Sequence, residues 1–244
     1  MADTAVESAN IVGYSEQTGT DGSLYRLAPD FNAMGDAIHT AGDIASDDPE
    51  VGGLIRLYNA KGNTSLKLMY INAEIAEEAD IEAGWYTEDQ VADDDFSEGT
   101  QNATEIPLGS GFVYVPNGSS ISFKGEVKQS ATLISGNDGS LYSTGNCSPV
   151  DITMGDIVSD DPEVGGLVRF YNAKGNTSLK LMYINAEIAE EADIEVGWYT
   201  EDQVADDDFS EGTQNAKPLA AGEGFVYVPN GSSIAIPNPL PSVK

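Results

Sequence analysis

Residues 43–102 read DIASDDPEVGGLIRLYNAKGNTSLKLMYINAEIAEEADIEAGWYTEDQVADDDFSEGTQN, and residues 156–215 repeat them without a gap at a shift of 113 residues. Four positions differ, each apolar for apolar: Ala45/Val158, Ile55/Val168, Leu57/Phe170 and Ala83/Val196. Working outward, GFVYVPNGSSI at 111–121 returns at 224–234, and DGSLY at 21–25 returns at 138–142 across a shorter connection. An internal repeat of this length defines the architecture. It predicts two homologous domains at 9–126 and 127–239, with an N-terminal arm at 1–8 and a C-terminal tail at 240–244.

Within one copy, LIRLY at 54–58 and LKLMYI at 66–71 are β-favouring runs joined by NAKGNTS, which is turn chemistry, so they read as a hairpin. Residues 23–27, 84–87, 112–115 and 120–123 add short strands between Asp-Gly, Asn-Gly and Pro breaks. Many short strands with Gly-rich turns predict an all-β chain of two tandem β-sandwich-like or small-barrel domains. Residues 73–81, AEIAEEADI, have helical composition, but an acidic loop between strands is the preferred reading.

The chain has 244 residues, with 11 Lys+Arg against 41 Asp+Glu and a net charge of −30. Phosphate neutralisation needs clustered cations, so no nucleic-acid partner is expected. No apolar run approaches the roughly 18 residues of a membrane span, so no membrane insertion is expected. One Cys (Cys147) and one His (His39) are too few for a Cys/His zinc site or an internal disulfide. Cys147 reads as a small core residue.

No enzyme is expected. A Ser-His-Asp triad would have to use His39, which lies in the lengthened connection of the first copy and reads as a loop residue without a counterpart in the second. The acids come in runs, each written twice, which suits a solvated face better than a catalytic pair. Calcium is the one cofactor those runs suggest, because it takes six to eight oxygens along a loop. Its candidate ligands are Asp93, Asp94, Asp95 and Glu98, with Asp206, Asp207, Asp208 and Glu211 as their copies; the spacing is not that of an EF-hand. Trp85-Tyr86 and Trp198-Tyr199 are the residues that a glycan ligand would stack on, if they are not core.

SANIVGY at 8–14, PLGSGF at 107–112, AAGEGFV at 220–226 and ISFKGEV at 121–127 resemble the strand motifs of secreted tandem-repeat proteins of Verrucomicrobia and relatives. The resemblance covers the edges of each copy, and the second copy departs from it where IPNPLP at 236–241 replaces the Lys-Gly-Glu-Val continuation. It implies an extracellular or cell-surface, all-β, non-enzymatic protein whose signal peptide has been removed.

Near-identical neighbours suit a periodic object in which each copy plays the same part. The residues thus predict a structural protein that assembles with itself, head to tail, into a filament or surface layer. The expected assembly strand is Ala9, Asn10, Ile11, Val12, Gly13 and Tyr14, adding beside Ile234, Ala235 and Ile236 of another chain. The strand at 120–127 is expected to bridge the two copies. The rival expectation is a monomeric adhesin or carbohydrate-binding module.

Overall fold

The computed structural model describes residues 12–29, 39–46, 51–106, 109–127, 130–160 and 164–239. The first copy runs β1 (Val12–Gln17), β2 (Tyr25–Leu27), β3 (His39–Thr40), β4 (Ala45–Ser46), β5 (Val51–Tyr58), β6 (Thr64–Ile71), α1 (Ala73–Ala79), β7 (Gly84–Thr87), α2 (Glu88–Asp93), β8 (Glu105–Ile106), β9 (Phe112–Val115) and β10 (Ile121–Glu126). The second follows the same order: β11 (Thr132–Ser135), β12 (Tyr142–Gly145), β13 (Ile152–Thr153), β14 (Val158–Ser159), β15 (Val164–Tyr171), β16 (Thr177–Ile184), α3 (Ala186–Ala192), β17 (Gly197–Thr200), α4 (Glu201–Asp206), β18 (Pro218–Leu219), β19 (Gly224–Val228) and β20 (Ser233–Ile236). The chain is mostly β, in small antiparallel sheets with few helices.

Each copy builds the same sheets. The five-stranded order β2-β9-β5-β6-β7 returns as β12-β19-β15-β16-β17, and the three-stranded order β1-β10-β4 returns as β11-β20-β14. The register repeats too, with Gln17 opposite Ile121 where Ile134 stands opposite Ile234. Among the described residues β10 pairs only with β1 and β4, so the strand expected to bridge the copies closes the first instead.

The first core lies between the two sheets of its copy. Ile55, Leu68, Trp85, Phe112 and Tyr114 come from the larger sheet and Ile121 and Phe123 from the smaller. The second core has the same plan with one exchange. Phe112 packs on Phe123, whereas its counterpart Phe225 packs on Phe170. Leu57 with Phe123 has thus become Phe170 with Ile236, a move of one aromatic ring from one sheet to the other. Core volume is kept, which is the kind of change a close-packed interior tolerates.

The segment after β6 is a helix, where a loop was expected. Asn72 accepts a hydrogen bond from the Ile75 N–H at 2.9 Å, and Asp80 closes the helix in the left-handed conformation at φ 56°. Ala76 is buried against Ile71 and Tyr86, with Ile75, Ile81, Val91 and Phe96 packed around them. A cap and an apolar stripe outweigh the acidic composition. α2 was not foreseen, although Thr87-Glu-Asp-Gln90 is a capping box. The Gln90 N–H donates to Thr87 Oγ1 at 3.1 Å, and the Thr87 N–H donates back to Gln90 Oε1 at 2.8 Å.

His39 also departs from expectation. It is buried in β3 opposite Ile106, the place that Ile152 holds opposite Leu219, so it has a counterpart and faces the core. The repeat therefore starts four residues before Asp43, with HTAG matching ITMG. Cys147 is buried, with its thiol donating to the Gly145 carbonyl at 3.3 Å.

The two copies meet through contacts that occur in exchanged pairs. The Leu24 N–H donates to the Ala173 carbonyl at 2.8 Å, and the equivalent Leu141 N–H donates to the Ala60 carbonyl at 2.7 Å. Leu24 covers Gly175 as Leu141 covers Gly62; both glycines have φ near +77° and a Cβ there would strike the leucine. Two further bonds cross the contact between non-equivalent positions, from the Ala28 N–H to Gly222 O at 3.0 Å and from the Gly111 N–H to Ser143 O at 2.7 Å. A contact in which each copy gives what it receives has approximate two-fold symmetry and closes on itself.

Candidate assembly site and acidic clefts

The small sheets hold the residues singled out for assembly. Val12 to Tyr14 lie in β1 and pair with Glu126 to Lys124 of their own copy; Ala9, Asn10 and Ile11 lie outside the described residues. Ile234, Ala235 and Ile236 form the middle of β20. Thr132–Ser135 flanks that strand on one side, and Val158–Ser159 flanks it on the other. The backbone of β20 is therefore paired on both sides at Ile234 and Ala235, and on the β11 side at Ile236. A strand arriving from elsewhere meets β11 or β14, which form the edges of this sheet.

The outer face of that sheet is apolar. Leu133 stands opposite Ala235 and Ala235 opposite Val158, so the three form one cross-strand row. Leu133 is 65% exposed and Val158 is 55% exposed, with Ala131 and Pro237 continuing the uncharged surface. In the first copy the same row is Glu16, Ser122 and Ala45. Two copies that agree at almost every body position thus differ on one exposed face. The large apolar residue that the first copy exposes on its own small sheet is Tyr14, at 65%.

Asp160 braces the apolar sheet. Its carboxylate accepts the Ser233 N–H at 2.5 Å and the Ser233 hydroxyl at 2.7 Å, and these donors hold its pKa below the ordinary aspartate value. A depressed carboxyl stabilises the fold above its unfolded pKa of about 3.9, and the contribution is lost as pH falls through the lower native value. Asp160 is solvent-exposed. Asp160→Ala is therefore expected to cost less than about 1 kcal/mol at pH 7 and progressively less as pH falls below the unfolded carboxyl's value, as read from urea midpoints across that range.

The acidic runs line two equivalent open clefts of about 560 and 580 Å³. In the first, Lys67 is paired with Glu88 at the edge of α2, and Asp89, Asp93, Asp95 and Glu98 complete an acidic rim. Lys180 and Glu201 repeat the ion pair at 2.5 Å. Asp93, Asp95 and Glu98 share the first cleft, and among the described residues no three His, Cys, Asp or Glu side chains are grouped closely enough to hold a metal ion. Asp93 ends α2, and Asp94 takes the left-handed cap position. Asp95 turns back onto the Ser97 N–H at 3.1 Å, and the Ser97 hydroxyl and N–H hold its pKa low. Asp206, Asp207, Asp208 and Glu211 repeat the arrangement, with Asp208 on Ser210.

The aromatic pairs form no sugar platform. Trp85, Tyr86, Trp198 and Tyr199 are all buried, with the two indoles donating to the Ile44 and Ile157 carbonyls at 3.0 Å. Sequence reasoning missed the apolar row, because Ala45/Val158 looks conservative until its exposure is known.

No protein-family profile, curated protein or solved structure shows significant similarity to this chain.

Proposed function

We propose that this is a secreted, non-enzymatic bacterial structural protein of two tandem sandwich-like domains, at 9–126 and 127–239. Its chains associate head to tail. The observation that carries this reading is the apolar row Leu133, Ala235 and Val158 on the outer face of the sheet β11-β20-β14, on a chain of charge −30. Elsewhere like chains repel one another; this row offers apolar burial that can offset the repulsion. The equivalent row in the first copy is Glu16, Ser122 and Ala45, so the two ends of the chain are unlike. Unlike ends favour a heterologous contact, which propagates instead of closing. The N-terminal strand from Ala9 to Tyr14 supplies the partner end, next to or along the open edges of the acceptor sheet.

Charge sets the conditions. The screening length is about 30 Å at 0.01 M salt and about 8 Å at 0.15 M. Association is expected at 0.15 M sodium chloride and is expected to fall away at 0.01 M, with light scattering as the readout. Equal mass at both salt concentrations, above that of one chain, would remove repulsion from the account.

A further inference from the structure

The contact between the copies contains a charged residue that breaks its two-fold symmetry. Arg26 of β2 lies with its guanidinium carbon 4.0 Å from the ring centre of Tyr171 and 5.3 Å from that of Tyr58. These tyrosines are equivalent residues of the two copies, so one cation serves both rings at the symmetry axis. The position equivalent to Arg26 in the second copy is Ser143, whose hydroxyl is buried. Beside it is a cavity of about 50 Å³ lined by Arg26, the two tyrosines, Leu141, Ser143 and Val226. That volume has room for ordered water and not for a second guanidinium side chain.

Physical chemistry makes the asymmetry useful. Arg26 is half-buried between rings whose negative faces attract it, and a second Arg at the same axis would bring two like charges together away from bulk water. Two serines would remove the cation that lies over both rings. We infer that Arg26 is the specificity determinant of this surface, which fits one Arg-bearing copy to one Ser-bearing copy and rejects pairing of like with like. The surface thus selects the first copy as partner for the second. In a chain whose halves are otherwise nearly interchangeable, that selection sets which halves meet. The inference concerns the contact within the chain and stands whether or not chains associate with one another.

The test is the effect of Ser143→Arg in two backgrounds of the full chain, followed by thermal unfolding. With Arg26 present, Ser143→Arg is expected to lower Tm by roughly 5 °C or more. With Arg26→Ser already in place, the same substitution restores one cation to the axis and is expected to raise Tm toward that of the original chain. A Ser143→Arg effect equally damaging in both backgrounds, including failure to fold in both, overturns the inference. Arg26→Met serves as the second measurement: it keeps the packing length without the charge, and a Tm equal to that of the original chain would show that packing alone does the work.

Discussion

Replacing Trp198 with alanine is expected to remove about 3–5 kcal/mol of stability, and Trp85→Ala the same amount from the first copy. Each indole is fully buried at the centre of its core. Each meets a tyrosine edge-on, Tyr70 or Tyr183, at 5.2 Å between ring centres. Each also donates to the carbonyl that follows a short 3₁₀ turn, Ile44 or Ile157, at 3.0 Å. Alanine loses the apolar burial, leaves a cavity and strips a buried carbonyl of its donor, and these costs add in one direction. Differential scanning calorimetry reads the loss. Because the environments agree in contact and distance, the two variants are expected to lose similar amounts. A loss below 1 kcal/mol in either would mean that the core is not packed as described.

Leu133→Asp combined with Val158→Asp is expected to abolish association while leaving Tm within about 2 °C of the original chain. Both side chains are mostly exposed, so neither aspartate buries a charge, and surface changes of this kind alter stability by about ±0.5 kcal/mol. At a contact between chains the same substitutions place two carboxylates against an apolar surface, where an unpaired charge is costly. The matching control is Ala45→Asp in the first copy, on the equivalent position of the other small sheet. It adds a carboxylate to a row that already holds Glu16, and it is expected to weaken association far less. Sedimentation velocity of the three proteins at one salt concentration separates the outcomes. Equal association in all three would move the contact elsewhere.

Much of the fold was legible because the repeat is long and its turns are strong. NAKGNTS sits between two apolar runs, and Asn59 Oδ1 accepts the Lys61 and Asn63 N–H groups, so the hairpin follows from local chemistry. The helices were harder. The AEIAEEA segment carries three charged side chains that read as a loop, and only the cap by Asn72 and the burial of Ala76 decide the matter. The box at Thr87 to Gln90 was readable and was passed over. His39 was misplaced because a polar residue in a long connection reads as exposed, whereas its register opposite Ile106 is a fact of pairing.

The site was legible only in part. Sequence pointed to the small terminal strands and to Ala235, but pairing decides which atoms of a strand remain available. Here β20 is a middle strand whose backbone is paired on both sides at Ile234 and Ala235, and its face is what remains. The acid runs were visible as composition, yet their convergence depends on loop direction; Asp95 turns toward Ser97 and Asp94 caps a helix. Arg26 against Ser143 was present in the alignment of DGSLYR with DGSLYS. Its meaning needed the two tyrosines to come together from different copies.

The central claim is that chains join end to end through unlike surfaces, and the molar mass in solution tests it most directly. Multi-angle light scattering of the original chain in 0.15 M sodium chloride, over a hundredfold range of concentration, should give a mass that climbs past twice 25.7 kDa without a plateau. A constant mass of 25.7 kDa at every concentration, or a plateau at two chains, would contradict it.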